Sequence, residues 1–381
     1  MKKLAFSLLA VACSVWASFA QAEFVPAEQS AEPSSEQSAE PVRNVIYLIG
    51  DGMGIAHLTM LEIEGGFAPT SFDRAQNVAL ISTCSANNRV TDSAAAGTAL
   101  ATGHKTNNKM LGQTPDGTPV TSLLTCARDE GMPTGIVVTC ALTHATPAAF
   151  YAHVDNRNNE PAIAADLAEC GFDVLIGGSR DLLHRRPGEG AATPAERFAE
   201  RGYVVADTLP DADAVHSGRL VAACGGYHMP SMLEGRGDFL PTAVGKALEI
   251  LSANAQAADT GFVLMVEGSQ IDFESHTNNT AGILAEMRDF DRTIGVAMDF
   301  ADTHPGTLVV VCADHETSGM AIPSNNKDFT ESESGVKYVY GTGSHTGVYL
   351  PVYLYGAGAE CINGIVDNTD LPKRLRELLG I

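Results

Sequence analysis

The chain of 381 residues is predicted to be an α/β protein, a three-layer α/β/α sandwich around a large, mostly parallel central sheet. Three hydrophobic runs support this prediction, because each is rich in Val, Ile and Leu and stops on acidic or imidazole side chains. They are VIYLIG before Asp51, FVLMV before Glu267, and TLVVVCA before Asp314 and His315. Such runs are typical of central strands, and parallel sheets bind ligands at the carboxyl ends of their strands. The run endings therefore predict a site for several metal ions.

Further segments alternate between strand and helix patterns, as the three-layer prediction requires. GIVVTC at residues 135–140 and VLIGG at 174–178 are predicted strands. An amphipathic helix is predicted after residue 279, where apolar positions recur every three or four residues: Ile283, Leu284, Met287, Phe290, Ile294 and Met298. Residues 184–236 show no sustained period and are predicted to be a surface excursion with short elements.

The first 22 residues predict a secretory signal peptide, with two lysines, an apolar stretch to about Phe19 and the cleavage sequence Ala20-Gln21-Ala22. Acylation of Cys13, as in a lipoprotein, is the alternative, and either reading predicts export to the periplasm or the medium. Residues 23–42 are rich in Pro, Glu and Ser and predict a flexible acidic tether. Residues 43–381 are the predicted catalytic domain.

The formal net charge of −22 argues against nucleic acid as a specific partner, because a phosphate backbone requires basic patches. No run beyond the leader predicts a membrane span. Of the eight cysteines, all but Cys13 lie beyond the predicted leader, an odd number whose pairing the sequence leaves open. Cys140 and Cys312 lie in strand-like runs and are predicted to be buried core thiols.

Two local patterns suggest chemistry. Asp272 and His276 are four residues apart, so on a helix both would face one zinc ion. Ser93 follows Asp92 at the start of an Ala-rich, helix-prone run. A helix N-terminus favours negative charge, which suits an alkoxide and a phosphate group.

Several motifs together resemble the alkaline phosphatase family, in family order over about residues 43–357. They are Asp51-Gly52-Met53-Gly54, Thr91-Asp92-Ser93-Ala94-Ala95-Ala96-Gly97-Thr98-Ala99, Ala101-Thr102-Gly103 before Lys105-Thr106-Asn107, Val266-Glu267-Gly268 with Asp272, and Ala313-Asp314-His315-Glu316. The resemblance implies a homodimer that hydrolyses small phosphate monoesters, with two Zn²⁺ and one Mg²⁺ per chain.

The resemblance also implies a role for each site residue. Ser93 would be the nucleophile that forms a phosphoserine, and Arg157 would grip the phosphate oxygens. The implied ligands are Asp272, His276 and His345 for one zinc ion; Asp51, Asp314, His315 and the Ser93 oxygen for the second; and Asp51, Thr146 and Glu267 for a third metal, usually magnesium.

The sequence leaves open the roles of three positions near this site, Phe273, His144 and Asp92. Some relatives have Lys, His or Trp where this chain has Phe273, and some have Asp where it has His144, so the identity of the third metal stays open. His144 is expected to act through water or beside the ligands. Asp92 is either an acid at a helix start or a hydrogen-bond partner of Arg157.

The predicted function is therefore an exported, metal-dependent phosphomonoesterase. An alkaline preference is expected, because histidine ligands bind metals in their neutral form. Two alternatives stay open. One is a related hydrolase on the same scaffold, such as a phosphodiesterase or sulfatase, and the other is an exported zinc-binding protein without catalysis.

Overall fold

The computed structural model describes residues 40–186, 188, 190–328 and 332–381. The predicted leader, and the predicted tether up to residue 39, lie outside this part of the chain. The strands are β1 (Asn44–Gly50), β2 (Asn77–Ser82), β3 (Thr134–Ala141), β4 (Val174–Gly178), β5 (Tyr203–Ala206), β6 (Arg219–Ala223), β7 (Val263–Gly268), β8 (Thr307–Cys312), β9 (Glu316–Thr317), β10 (Met320–Ala321), β11 (Val339–Tyr340), β12 (His345–Thr346), β13 (Leu350–Gly356) and β14 (Ile365–Asp367).

The helices fill the connections between these strands. They are α1 (Ile55–Glu64), α2 (Ser93–Thr102), α3 (Leu123–Asp129), α4 (Ala145–Ala148), α5 (Glu160–Glu169), α6 (Arg180–Leu183), α7 (Pro194–Glu200), α8 (Phe239–Ala258), α9 (Gln270–His276), α10 (Thr280–Thr303) and α11 (Asp370–Leu379), with short 3₁₀ helices at Phe72–Arg74, Pro210–Ala212 and Ala359–Cys361. Within the described residues, no helix is long and apolar enough to cross a membrane.

A ten-stranded sheet forms the central layer, in the order β14-β2-β13-β8-β1-β7-β3-β4-β6-β5. Among these described strands, β13 alone is antiparallel to its neighbours β2 and β8, and the other pairings are parallel. Helices cover both faces of the sheet. The predicted fold class, a three-layer sandwich around a mostly parallel sheet, is confirmed.

The register of the central strands brings the predicted ligands to one edge of the sheet. Ile49 of β1 is paired with Glu267 of β7 on one side and with Cys312 of β8 on the other. Asp51 follows β1 and Asp314 follows β8, within two residues of this shared level. Because β8, β1, β7 and β3 are adjacent and parallel, their carboxyl ends form one surface, as the hydrophobic runs predicted.

The predicted amphipathic helix is α10, which begins after Asn279. Its apolar residues Ile283, Met287, Phe290 and Ile294 are fully buried, because their spacing places them on the face that packs against the sheet and α8.

The prediction for residues 184–236 was wrong in part, because β5 and β6 in this region form the outer edge of the central sheet. Each strand is only four or five residues long, which is too short to show a clear period in the sequence. β6 joins the sheet by pairing with β4, which lies about 40 residues earlier in the chain, and among the described strands β5 pairs only with β6.

A buried ion cluster connects the segment before α8 to α10. The guanidinium of Arg236 donates to the carboxylates of both Glu286 and Asp289, and the distance to Asp289 Oδ2 is 2.9 Å. All three side chains are almost inaccessible to solvent. The backbone N–H of Met232 also donates to Glu286, at 2.8 Å. A buried carboxylate is strongly destabilising unless it is paired, so this guanidinium compensates two charges at once.

Replacing Arg236 by Met should lower the free energy of unfolding by about 3–5 kcal/mol, because Glu286 and Asp289 then lose a buried cation. Urea unfolding of the metal-loaded protein measures this change. The matched control is Arg374→Met, which breaks an exposed pair with Glu377 and should cost about 0–1 kcal/mol. Equal effects of the two substitutions would contradict the importance of burial.

Candidate active site

Asp51, Asp314 and His315 form a fully buried group at the carboxyl ends of β1 and β8. The Nε2 atom of His315 lies 3.4 Å from Asp51 Oδ1 and 3.3 Å from Asp314 Oδ2. Burial and the nearby His345 hold the pKa of His315 well below its usual range, so the imidazole is neutral. A neutral imidazole between two carboxylates is a donor set suited to a divalent metal ion.

A second group contains Asp272, His276 and His345. Asp272 and His276 lie on α9, where the Nε2 atom of His276 is 3.2 Å from Asp272 Oδ2, and His345 Nε2 is 3.3 Å from His276 Nε2. Each imidazole places Nδ1 2.9 Å from a backbone carbonyl, that of Gly343 or of Thr91. Nδ1 must therefore carry the proton, which leaves the Nε2 lone pair for a metal ion.

A tight turn between β1 and α1 joins these two groups. The N–H of Gly52 donates to Asp314 Oδ1 at 3.1 Å. Gly52 has a positive φ of 75°, and a Cβ atom there would lie only 2.9 Å from Asp272. Glycine is required because the backbone must pass directly between the carboxylates.

A third group lies deeper, where β3 and β7 end. Glu267 and Thr146 are fully buried, and the structure places Cys140 and His144 next to Glu267. Burial raises the pKa of Glu267 to about 7, although hydrogen bonds from Ser269 and Cys140 oppose this shift.

Metal ions would satisfy polar atoms that have no other partner. Within the described residues, these buried atoms without a hydrogen-bond partner include both carboxylate oxygens of Asp51, Asp314 Oδ2, Glu267 Oε1 and Thr146 Oγ1. Buried polar atoms are rarely left without a partner, and these atoms converge from separate elements. The donor set is carboxylate, imidazole and hydroxyl, which fits divalent cations.

Ser93 is the first residue of α2, a helix whose ten residues are all buried. Asp92 caps this helix by accepting a hydrogen bond from the Ala95 N–H at 3.0 Å. Ser93 Oγ lies 3.2 Å from His315 Nε2, so the hydroxyl points into the buried carboxylate group. The helix N-terminus adds a partial positive charge at the same point.

Arg157 extends over the site from the loop before α5. Its guanidinium lies 3.5 Å from Asp92 Oδ2 and 3.4 Å from His144 Nε2. Asp92 thus has both of the roles that the sequence left open, since it caps α2 and also pairs with Arg157. Beside Arg157 a cavity of about 320 Å³ opens between Glu160 and Tyr227.

His144 precedes α4 and packs edge-on against two rings. Its centroid lies 5.5 Å from that of Phe273 and 5.5 Å from that of His228. His228 accepts a hydrogen bond from the Ala141 N–H at 2.9 Å. His144 and Phe273, the two positions at which this chain departs from some relatives, are therefore in direct contact. Together they line one side of the third group.

Two residues of this site were not found from the sequence. Cys140 is a buried core thiol, as predicted, but the sequence did not show that its Sγ lies 3.3 Å from Glu267 Oε2. Its position at the end of a predicted strand was the available signal. The sequence around His228 gives no sign of a partner for this side chain. Its position beside His144 depends on the course of the long connection between β6 and α8.

Comparisons with known proteins agree with this arrangement. The alkaline phosphatase family model matches residues 42–201 and 226–335. Alkaline phosphatase 4 of Bacillus subtilis is 29% identical, over 97% of this chain and 95% of that protein. Streptomycin-6-phosphate phosphatase of Streptomyces griseus is 32% identical, over 92% of this chain and 94% of that protein.

Solved structures show the same similarity. Alkaline phosphatase from the Antarctic bacterium TAB5 is 33% identical, with a TM-score of 0.83 over 90% of this chain and 99% of that one. A variant of the TAB5 enzyme, with a TM-score of 0.82 and 33% identity over 90% of this chain and 99% of that one, has Mg bound in its M3 site.

An α/β fold with three clusters of metal-ligand side chains at one sheet edge defines a metal-dependent hydrolase. This chain belongs to the alkaline phosphatase family, and it is a phosphatase that hydrolyses phosphate monoesters.

Without metal ions, the protein should lose stability as the pH rises above about 6.5, the pH at which an ordinary histidine loses its charge. Burial, followed by the charge of Asp272, raises the pKa of Asp314 to about 8, and the hydrogen bond to Asp272 raises that of His276 to about 9. In this window the folded chain therefore binds more protons than the unfolded chain. Thermal unfolding of chelator-treated protein tests this sign.

Asp314→Asn provides the control for this prediction, because it removes one raised pKa and should flatten the dependence of the metal-free protein on pH. Added metal ions should stabilise the wild-type protein more at alkaline than at neutral pH. At alkaline pH fewer protons compete with the metal ions for the carboxylate and imidazole ligands. A metal-free protein that is equally stable at both pH values would contradict the prediction.

Proposed function

We propose that phosphate monoesters are hydrolysed through a covalent phosphoserine on Ser93, at a site that holds two Zn²⁺ and a third divalent ion. The observation that carries this proposal is the position of the Ser93 hydroxyl. It lies at the buried N-terminus of α2, 3.2 Å from His315 Nε2 and beside the unpartnered oxygens of Asp51.

The first two metal positions follow the first two groups of side chains, and the third follows the ligands that the family resemblance implies. We assign Asp272, His276 and His345 to one zinc ion; Asp51, Asp314, His315 and Ser93 Oγ to the second; and Asp51, Thr146 and Glu267 to the third ion. When bound, such ions lower the pKa of hydroxyl groups and neutralise charge on a transferring phosphoryl group.

Ser93 Oγ is proposed to attack phosphorus while the ester P–O bond breaks and the alcohol leaves, so that Ser93 carries the phosphoryl group. Water then hydrolyses the phosphoserine, which restores the Ser93 hydroxyl and releases inorganic phosphate. A serine hydroxyl is a weak nucleophile unless a base or a metal ion activates it. The nearby imidazole of His315 is neutral but lies between Asp51 and Asp314, so it is arranged as a ligand. The N–H groups at the start of α2 can stabilise negative charge on the phosphoryl oxygens.

Arg157 is proposed to bind two phosphoryl oxygens through its planar guanidinium. The guanidinium lies 3.5 Å from Asp92 Oδ2, and the backbone N–H of Arg157 donates to the Lys109 carbonyl at 2.8 Å. The cavity of about 320 Å³ beside this side chain would receive the alcohol part of the substrate.

The charge of the site explains why metal ions are needed. Four carboxylates, those of Asp51, Glu267, Asp272 and Asp314, are at most 4% exposed, and the whole chain has a formal charge of −22. Arg157 alone cannot offset them. Without bound cations this pocket would repel a phosphate dianion.

Ser93→Ala should abolish nearly all turnover of p-nitrophenyl phosphate, because the phosphoryl group then has no acceptor. Metal content should stay close to that of the wild type, which separates catalysis from metal storage. Activity and metal analysis on one sample measure both. The control, Ser217→Ala, changes an exposed serine and should leave activity unchanged. Retained turnover in Ser93→Ala would disprove the phosphoserine.

Arg157→Ala should lower kcat/KM by about 10²-fold, as expected for loss of one donor to a developing oxyanion. Arg157→Lys should recover only part of this loss, since an ammonium group cannot make the bidentate contact. Arg288→Ala changes an exposed arginine and serves as the control. Full activity of Arg157→Lys would show that charge alone is sufficient.

We also propose a domain organisation: a leader that is removed over residues 1–22, a tether over residues 23–42 and a catalytic domain over residues 43–381. The protein is proposed to be exported and to form a homodimer. The composition of the N-terminal segment supports the leader and the tether, and the resemblance to the family supports the catalytic domain and the homodimer. The N-terminus of the secreted protein, read by mass spectrometry, tests cleavage and also distinguishes acylation of Cys13. Light scattering tests the dimer. A bis-ester analogue of p-nitrophenyl phosphate, if hydrolysed faster than the monoester, would favour the phosphodiesterase alternative.

A further inference from the structure

Cys140 lies near the carboxyl end of β3, next to Glu267. Val138, the last residue of β3 that is paired with β7, lies opposite Glu267. The register of β3 is irregular between Val137 and Ala141, and within this segment the Cys140 sulfur lies 3.3 Å from Glu267 Oε2. The backbone N–H of Cys140 donates to Ser269 Oγ at 3.1 Å, which fixes the strand end against the residue that follows β7. The thiol is therefore held rigidly at the third group of side chains.

The Cys140 sulfur is close enough to share a metal ion with its neighbours. Sγ lies 3.3 Å from Glu267 Oε2, and Cys140, His144 and Glu267 each offer one ligand atom within 4.8 Å of the others. Zinc binds sulfur at about 2.3 Å and oxygen or nitrogen at about 2.0–2.2 Å. A separation of 3.3 Å is therefore ordinary for two ligands of one ion.

Other buried atoms at this position are without a hydrogen-bond partner, which supports the proposed third ion beside Cys140. Thr146 Oγ1, Glu267 Oε1 and His144 Nδ1 have no hydrogen-bond partner within the described residues, and Thr146 and Glu267 are completely buried. A core thiol alone would not require these atoms to converge on it.

We propose that Cys140 is a ligand of the third ion, and that its sulfur makes this position select zinc over magnesium. The inference rests on the proposed function for the existence of a third ion. Magnesium prefers oxygen ligands, whereas thiolate and imidazole ligands favour zinc. On binding, a zinc–sulfur bond forms and the thiol proton passes to solvent, with no change in oxidation state.

The competing role for Cys140 is that of a neutral hydrogen-bond donor to Glu267. In that case a serine hydroxyl, which also donates, would replace the thiol without changing metal selectivity. Cys140→Ser therefore separates the two roles, because it keeps the size and the donor but removes the soft ligand. Cys140→Ala removes both.

The experiment equilibrates the holoenzyme with just enough Zn²⁺ to fill all three groups and a large excess of Mg²⁺, and then counts the metals per chain by mass spectrometry. The wild type should hold zinc in all three groups. In Cys140→Ser and Cys140→Ala, the zinc preference of the third position should fall by about 10- to 100-fold, so that magnesium replaces zinc there. Cys312→Ala, which removes another fully buried thiol at a strand end, should behave as the wild type.

Cobalt substitution gives a readout that is independent of activity. The Co²⁺-loaded wild type should show thiolate-to-cobalt charge-transfer absorption in the near ultraviolet, and both Cys140 variants should lose it. A wild type that binds magnesium at the third position as readily as Cys140→Ser, or that shows no charge-transfer band, would overturn the proposal. Circular dichroism of Cys140→Ser verifies folding.

Failure of this proposal can be told apart from failure of the phosphoserine mechanism. Phosphorylation of Ser93, detected on the peptide after acid quenching, tests the mechanism alone. Metal counts and cobalt spectra test the role of Cys140 alone, since neither requires turnover.

Discussion

Burial of several carboxylates at one edge of the sheet is the constraint on which the site depends. Asp51, Glu267, Asp272 and Asp314 come from three adjacent strands and one short helix, and almost no water reaches them. Desolvation and mutual repulsion make such a cluster unstable by itself, which is why the pKa values of Asp51 and Asp314 are raised. Bound cations would offset the mutual repulsion of these carboxylates and would also attract a phosphate group.

The surrounding elements place the reactive groups against that cluster. The small side chains of α2 allow the helix to be buried along its whole length, so its N-terminus reaches the carboxylates. Asp92 then joins two functions, because it caps α2 and also pairs with Arg157. Ser93 and Arg157, the proposed nucleophile and the proposed phosphate-binding group, are thus positioned by one side chain. Gly52 permits the close approach of the turn that lies between Asp272 and Asp314 and joins the first two groups of side chains.

Much of this site could be predicted from the chain alone. Strands that are buried on both faces are rich in Val, Ile and Leu and can be recognised from the sequence. The ends of β1, β7 and β8 therefore predicted Asp51, Glu267, Asp314 and His315 as site residues. The four-residue spacing of Asp272 and His276 marked their shared helix face. The edge strands β5 and β6 were missed, because four or five residues carry too little periodicity and their pairing is non-local.

Cys140 shows the limit of such predictions. A buried thiol in a strand is usually part of the core, and local sequence cannot distinguish the two faces of a strand that is buried on both. The amino-acid sequence by itself determined the central strands, the helix start at Ser93 and the family. Only the tertiary structure decided which side chains meet: the packing of the end of β3 beside β7 places Cys140 next to Glu267, and the loop after β6 brings His228 to His144. The physical reason is that contacts between distant segments depend on strand register and packing, which local patterns do not encode.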